Sequence, residues 1–155
     1  SACLVGSEMC IRDRTVTLHH SSLSTCIFGI LASQIGYDDE AYKYFSQSAR
    51  MDLDDIHNNF YAGIHAANMA GTWQGIVFGF AGVRSNAGYL QINPKLPGQW
   101  KSYEFRLQYK GSGLNIKVTD KKVEYTLLND CELSYESLGE KIVLSKEGDK
   151  YVQEI

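Results

Sequence analysis

The residues best suited to chemistry in this chain cluster in His19-His20-Ser21-Ser22-Leu23-Ser24, where small hydroxyl residues precede an apolar, helix-like run. A helix opened by such residues aims several backbone N–H groups and one or two Oγ atoms the same way. Its dipole adds partial positive charge at that end, so the combination suits an anion. Plain capping, which any serine-initiated helix shows, is the commoner meaning of the same pattern. His65 follows Tyr61-Ala62-Gly63-Ile64 at the start of another helical stretch. An imidazole there can donate to an anion, and a nearby dianion favours its charged form. The usual fate of a single histidine is a hydrogen bond to a local carbonyl.

Other candidates carry less. His57 and the His19-His20 pair have acids nearby but no HxH, HExxH or cysteine partner at ligand spacing, so no metal site is expected. Asp52, Asp54 and Asp55 can be posed as an acid/base pair, but crowded acids ahead of a helix more often cap it or face water. Trp73 and Trp100 can stack on a sugar, although Trp73 shares helical spacing with Met69 and Phe80 and so reads as core. The chain lacks a Gly-rich nucleotide loop and a GxSxG elbow. Formal net charge is -3 with a pI near 5.8 and no Lys/Arg block, which gives no footprint for nucleic acid. Leu23 to Ile35, the longest apolar-leaning run, is too short to span a bilayer. Cys3, Cys10, Cys26 and Cys131 form no disulfide framework, and a reducing cytoplasm is the default location.

The elements that must position these groups fall into two halves. Residues 1–14 (SACLVGSEMCIRDR) follow neither the helical nor the strand period and resemble translated sequencing-adapter read-through; they are set aside as foreign, with the natural protein continuing upstream of Thr15. From Thr15 to about Gly82 the pattern is helical. Ser21 or Ser22 caps a largely buried helix ending before Gly36, and Asp38 and Asp39 open a second with Ala41, Tyr42, Phe45 and Ala49 inward. A third starts near Ala66 with Met69, Trp73, Ile76, Val77 and Phe80 at helical spacing. Gly71, Gly75 and Gly79 recur every fourth residue; each costs roughly 1 kcal/mol against Ala, so close helix packing or a close ligand must offset them. Beyond the boundary, which falls between Gly82 and Lys101, Tyr103, Phe105, Leu107 and Tyr109 alternate with polar residues. Leu114, Ile116, Val118 and then Val123, Tyr125, Leu127 repeat the alternation, so an antiparallel meander is expected. Three helices in some seventy residues make a poor core alone and ask for further helices to pack on.

Five blocks in order carry a resemblance: Thr17-Leu18-His19-His20-Ser21-Ser22-Leu23-Ser24-Thr25-Cys26-Ile27, Ala49-Arg50-Met51-Asp52-Leu53-Asp54-Asp55, Gly63-Ile64-His65, Met69-Ala70-Gly71-Thr72-Trp73, and Leu90-Gln91-Ile92-Asn93-Pro94-Lys95-Leu96-Pro97 with Trp100. Together they resemble the closing part of glycoside hydrolase family 65, the maltose, trehalose, kojibiose and nigerose phosphorylases, over nearly all of the chain after residue 14. The resemblance implies an α+β chain: the C-terminal helices of an (α/α)6 catalytic barrel over residues 15–85, then a small antiparallel β-sandwich-like domain over 86–155.

It further implies inverting phosphorolysis of an α-linked glucose disaccharide, with inorganic phosphate as co-substrate, no other cofactor, and β-glucose 1-phosphate as product. Carried over residue by residue, Ser21, Ser22 and His65 become phosphate ligands. The general acid, a glutamate, belongs to an upstream segment, since Glu8 and Glu40 stand in the wrong contexts; this chain then holds no catalytic residue and is inactive alone. Full-length members are often homodimers. Three positions depart from the family pattern: His20 where members commonly carry an acid, Phe28 where many carry histidine, and Ala62 in place of a common aspartate. The competing expectations are a hydrolase of the same family, which uses water, and a non-catalytic sheet module from Gln99 to Ile155 that binds carbohydrate or props the barrel.

Overall fold

The computed structural model describes residues 22–55, 58, 61, 63–86 and 88–155, and residues 1–14, set aside above, lie outside them. The chain divides into two compact units, Ser1–Gly79 and Phe80–Ile155.

In the first unit α1 (Ser22–Gln34) and α2 (Asp38–Ala49) form an antiparallel hairpin. Its turn is a Schellman motif: the Tyr37 N–H reaches the Ala32 carbonyl at 2.9 Å, the Gly36 N–H reaches Ser33 at 3.3 Å, and Gly36 takes the required positive φ of 84°. Gly29 lets the two helices close up, because a Cβ there would lie 3.3 Å from that of Tyr44. Asp38, Asp39 and Glu40 occupy the first turn of α2, where they oppose the positive helix end. On the buried side of α2 the structure corrects one expectation. Ala41 and Ser48 are buried, Tyr42 and Phe45 are partly covered, and Ala49 is exposed.

The third helix is not uniform. α3 (Ala66–Gln74) continues directly into a π-helical stretch, Gly75–Phe80. Its glycines face neighbouring helices: a Cβ at Gly71 would meet Cys26 Sγ at 2.5 Å, one at Gly75 the Phe45 ring at 3.2 Å, and one at Gly79 Ile30 at 3.7 Å. Helix packing is therefore what offsets their conformational cost. Met69 and Trp73, expected inside, are 55% and 49% exposed, and Leu23 and Ile27 on α1 are 43% and 47% exposed, so in this chain α1 is only partly buried. None of the helices is long and apolar enough to cross a membrane, among the described residues.

The second unit is a sandwich of two four-stranded sheets. β1 (Arg84–Asn86), β2 (Tyr89–Ile92), β6 (Leu133–Ser137) and β7 (Glu140–Leu144) make one, in that order. β3 (Ser102–Tyr109), β4 (Ser112–Thr119), β5 (Lys122–Leu127) and β8 (Lys150–Glu154) make the other. The expected meander is present as β3-β4-β5, but β2 and β6 pair in parallel, Leu90 opposite Tyr135, which corrects the all-antiparallel expectation at that ladder. Alternation places Leu114, Ile116, Val118, Val123, Tyr125 and Leu127 of one sheet, with Leu90, Ile92 and Tyr135 of the other, at 1% exposure or less. The Tyr125 and Tyr135 rings lie 5.1 Å apart, and the Tyr125 hydroxyl meets Ser137 Oγ at 2.5 Å, tying the sheets together inside the core. Trp100 is held within this unit between Phe80 and Tyr103, at 5.3 and 5.8 Å, rather than standing out as a sugar platform.

The glycine contacts yield a paired test. Gly71→Ala drives a methyl into Cys26, and overpacking costs about 1–3 kcal/mol, against about 1 kcal/mol of helix propensity gained. Gly79→Ala meets only ordinary contact. Urea unfolding of the chain is expected to shift to lower denaturant for Gly71→Ala and to hold or rise for Gly79→Ala; equal shifts would show that the α1–α3 contact is not tight.

Candidate functional site

The ends of α1 and α3 follow from how the helices run. Cys26 of α1 faces Gly71, while Ile30 and Ser33, further along α1, face Gly79; the Ser33 hydroxyl donates to the Gly79 carbonyl at 3.0 Å. Contacts that advance together in both segments mean that the two helices run parallel. Ser22 lies four residues before Cys26, and His65 six before Gly71, or roughly 6 and 9 Å along their axes at 1.5 Å per residue. Both N-termini therefore open at the same end of the pair.

α2 runs the other way and closes that end. Phe45 packs on Gly75 and Ser48 on Asn68, so α2 finishes where α3 begins. A buried polar cluster fastens the junction. Ser48 Oγ donates to Asn68 Oδ1 at 2.8 Å, Asn68 Nδ2 donates to the Ser48 carbonyl at 2.7 Å, and Thr72 Oγ1 donates to the Asn68 carbonyl at 3.0 Å. Ser48 and Asn68 are each 2% exposed, and a buried polar group holds such a place only when its hydrogen bonds are made.

From that junction the loop after α2 turns back across the start of α3. Arg50 clamps Asp54 through two hydrogen bonds of 2.7 and 2.6 Å, Met51 is buried, and Asp55 and Asn58 take positive φ values of 44° and 50° that short polar side chains tolerate. Gly63, with φ of 113°, turns the chain into His65. Asp52 then meets His65 twice: its Oδ2 accepts the backbone N–H at 3.0 Å, and its Oδ1 lies 2.5 Å from ring Nδ1. An ionised carboxylate only accepts, so Nδ1 carries the proton in this contact. Both side chains keep 21% of their surface exposed. The bond from His65 holds the Asp52 carboxyl below its ordinary pKa, partly opposed by desolvation.

Of the three residues expected to contact an anion, His65 stands at the N-cap of α3 and Ser22 is the first residue of α1. Ser21 lies outside the described residues, as do His19, His20 and His57. Asp52, expected from the sequence to cap a helix or face water, is engaged on both carboxylate oxygens. It does cap α3, through the His65 N–H, but it also holds the ring. The block Ala49 to Asp55, already part of the resemblance, was the available signal. Among the described residues no group of His, Cys, Asp or Glu is placed to hold a metal ion.

Two family profiles match in succession: the central catalytic domain of glycosyl hydrolase family 65 over residues 13–74, and the C-terminal domain of the same family over residues 83–144. The chain belongs to glycosyl hydrolase family 65. Among family relatives it is 45% identical over 145 residues to an α,α-trehalose phosphorylase of Geobacillus stearothermophilus, covering 90% of this chain and 19% of that protein. It is 34% identical over 129 residues to a maltose phosphorylase of Bacillus subtilis, covering 83% and 17%. A solved structure from the human microbiome, provisionally named a kojibiose phosphorylase, superposes with a TM-score of 0.82 at 35% identity over 90% of this chain and 20% of that one. The chain thus spans about a fifth of the length of these family 65 proteins.

The Asp52–His65 contact makes a signed pH prediction. A carboxyl with a depressed folded pKa contributes stability above its unfolded value of about 3.9, and that stability is lost as pH falls through the folded pKa. The gap in urea midpoint between wild type and Asp52→Asn is expected to be at full width from about pH 5 upward and to narrow as the pH falls below about 4. A gap unchanged across that range would mean that the carboxylate charge is not engaged.

Proposed function

We propose that this chain is the C-terminal part of an inverting α-glucoside phosphorylase, and that Ser21, Ser22 and His65 hold its inorganic phosphate. Residues 15–85 are read as the closing helices of an (α/α)6 catalytic barrel and 86–155 as a supporting sheet domain. The observation that carries the reading is the parallel run of α1 and α3, which opens two helix N-termini, Ser22 and His65, at one end. Several of the proteins this family member resembles are named phosphorylases.

The physics of the reaction fits such an end. In an inverting transfer the glycosidic C1–O bond breaks while a nucleophile closes on C1 from the opposite face. A hydrolase needs a second carboxylate to take a proton from water. Phosphate arrives as an anion, so a new bond between C1 and a phosphate oxygen forms without a base as the glycosidic C1–O bond breaks; a general acid delivers its proton to the departing oxygen. What phosphate needs is a cradle of donors that keeps it in line with C1. Backbone N–H groups at the start of α1, serine hydroxyls and an imidazole supply donors of that kind. The general acid is assigned to sequence upstream of this chain, and the substrate to an α-linked glucose disaccharide. On the same reading the full-length enzyme is a cytoplasmic homodimer, and the chain by itself turns nothing over.

The test is sugar release by the longer enzyme carrying this segment, with maltose, trehalose and kojibiose, in the presence and absence of inorganic phosphate. Glucose 1-phosphate is expected only with phosphate, and free glucose released at full rate without it would establish the hydrolase instead. His65→Ala is expected to raise the KM for phosphate about 10- to 100-fold, the equivalent of one charge-assisted hydrogen bond. Turnover by the purified 155-residue chain would contradict the placement of the acid upstream.

A further inference from the structure

We infer that Asp52 is a positioning residue for the anion site, setting through His65 which ring nitrogen meets the anion. The inference rests on the phosphate reading above and adds a residue to it.

Its basis is the two-point contact. One carboxylate oxygen takes the His65 backbone N–H at 3.0 Å and the other takes Nδ1 at 2.5 Å, so the main chain and the ring of one residue are held by one rigid group. Rotation about χ1 or χ2 of His65 would break the Nδ1 contact while the backbone contact stayed. The carboxylate therefore selects one ring orientation. With Nδ1–H committed to Asp52, contact with an anion falls to Nε2. A ring donating on both sides carries both protons and hence its positive charge. That charge is needed here: an anion approaching this end meets the negative carboxylate of Asp52, and an imidazolium between the two turns repulsion into attraction on each side. The neighbouring acid of the same loop, Asp54, is engaged by Arg50 at 2.6 Å. The position of Asp52 is in turn set by the buried Ser48–Asn68–Thr72 cluster, which fixes the end of α2 on the first turns of α3.

The experiment uses the full-length enzyme and measures KM for inorganic phosphate, KM for disaccharide, and kcat in wild type, Asp52→Ala, Asp52→Asn, His65→Ala and Asp52→Ala/His65→Ala. Asp52→Ala is expected to raise the KM for phosphate about tenfold, the loss of one good hydrogen bond to the ring, with the KM for disaccharide unchanged. Asp52→Asn keeps an acceptor for Nδ1–H and is expected to lose less. In the His65→Ala background Asp52→Ala is expected to raise the KM for phosphate no further, since the ring that Asp52 orients is absent and the repulsion of its carboxylate is removed as well. Additive losses in the double variant, or equal rises in KM for both substrates, would overturn the inference and leave Asp52 as a helix cap. Should Asp52→Ala fail to fold, Asp52→Asn in the two backgrounds makes the same comparison. Wild-type turnover that needs no phosphate brings down the phosphate reading itself, and shows before any variant is made.

Discussion

The contact on which the helical unit's site depends is the single carboxylate of Asp52 held against both the backbone and the ring of His65. Neither partner is placed by its own helix. Asp52 belongs to a loop whose course is set where α2 ends, and His65 precedes α3 after a glycine turn. They meet because α2 runs antiparallel to α3 and a buried amide, Asn68, locks the end of one to the start of the other. Asn68 satisfies its own side chain and the Ser48 carbonyl at once. An apolar residue there would remove the register along with the hydrogen bonds, since hydrophobic contact is not directional. The geometry of a half-buried corner is thus set by a polar cluster one turn inside it.

Much of this was readable from residue order, and the failures have physical causes. Gly36 as the end of α1 and the acids opening α2 are local features, with causes confined to a few residues, and both are found. The alternating strands β3 to β5 are equally local. By contrast, the parallel pairing of β2 with β6 joins residues more than forty positions apart and has no local signature. The burial expected for Met69 and Trp73 came from periodicity, which says which residues share a face and not what covers it; both stay half-exposed in this chain. Gly71, Gly75 and Gly79 showed that something approaches closely, and only the tertiary structure names Cys26, Phe45 and Ile30.

At the site the same division holds. Ser22 and His65 stand out in the sequence because serine-opened helices and histidines have intrinsic chemistry. Asp52 does not, because an acid in a crowded loop looks alike whether it faces water or an imidazole. The distinction lies in the thirteen-residue return of the chain from Asp52 to His65, which no spacing rule encodes. Family membership rests on match positions across both halves of the chain, and by itself it gives no account of why that aspartate follows α2.

Two parallel helices bring two positive dipole ends together, each worth about half a charge, which is unfavourable unless something answers it. In this unit two things do. α2, running the opposite way, delivers its negative C-terminal end to the same corner, and Asp52 adds a full negative charge there. Counted at about half a charge per helix end, α2 and Asp52 together outweigh the two positive ends before any ligand arrives. On the phosphate reading an anion here gains nothing from the backbone field and depends on directed donors and on the charge of a ring whose orientation is already fixed. On that reading the orientation of the ring decides whether its charge reaches the anion, so geometry and charge act together. That is the property a transfer reaction needs when the anion must lie in line with one carbon atom and water must not take its place.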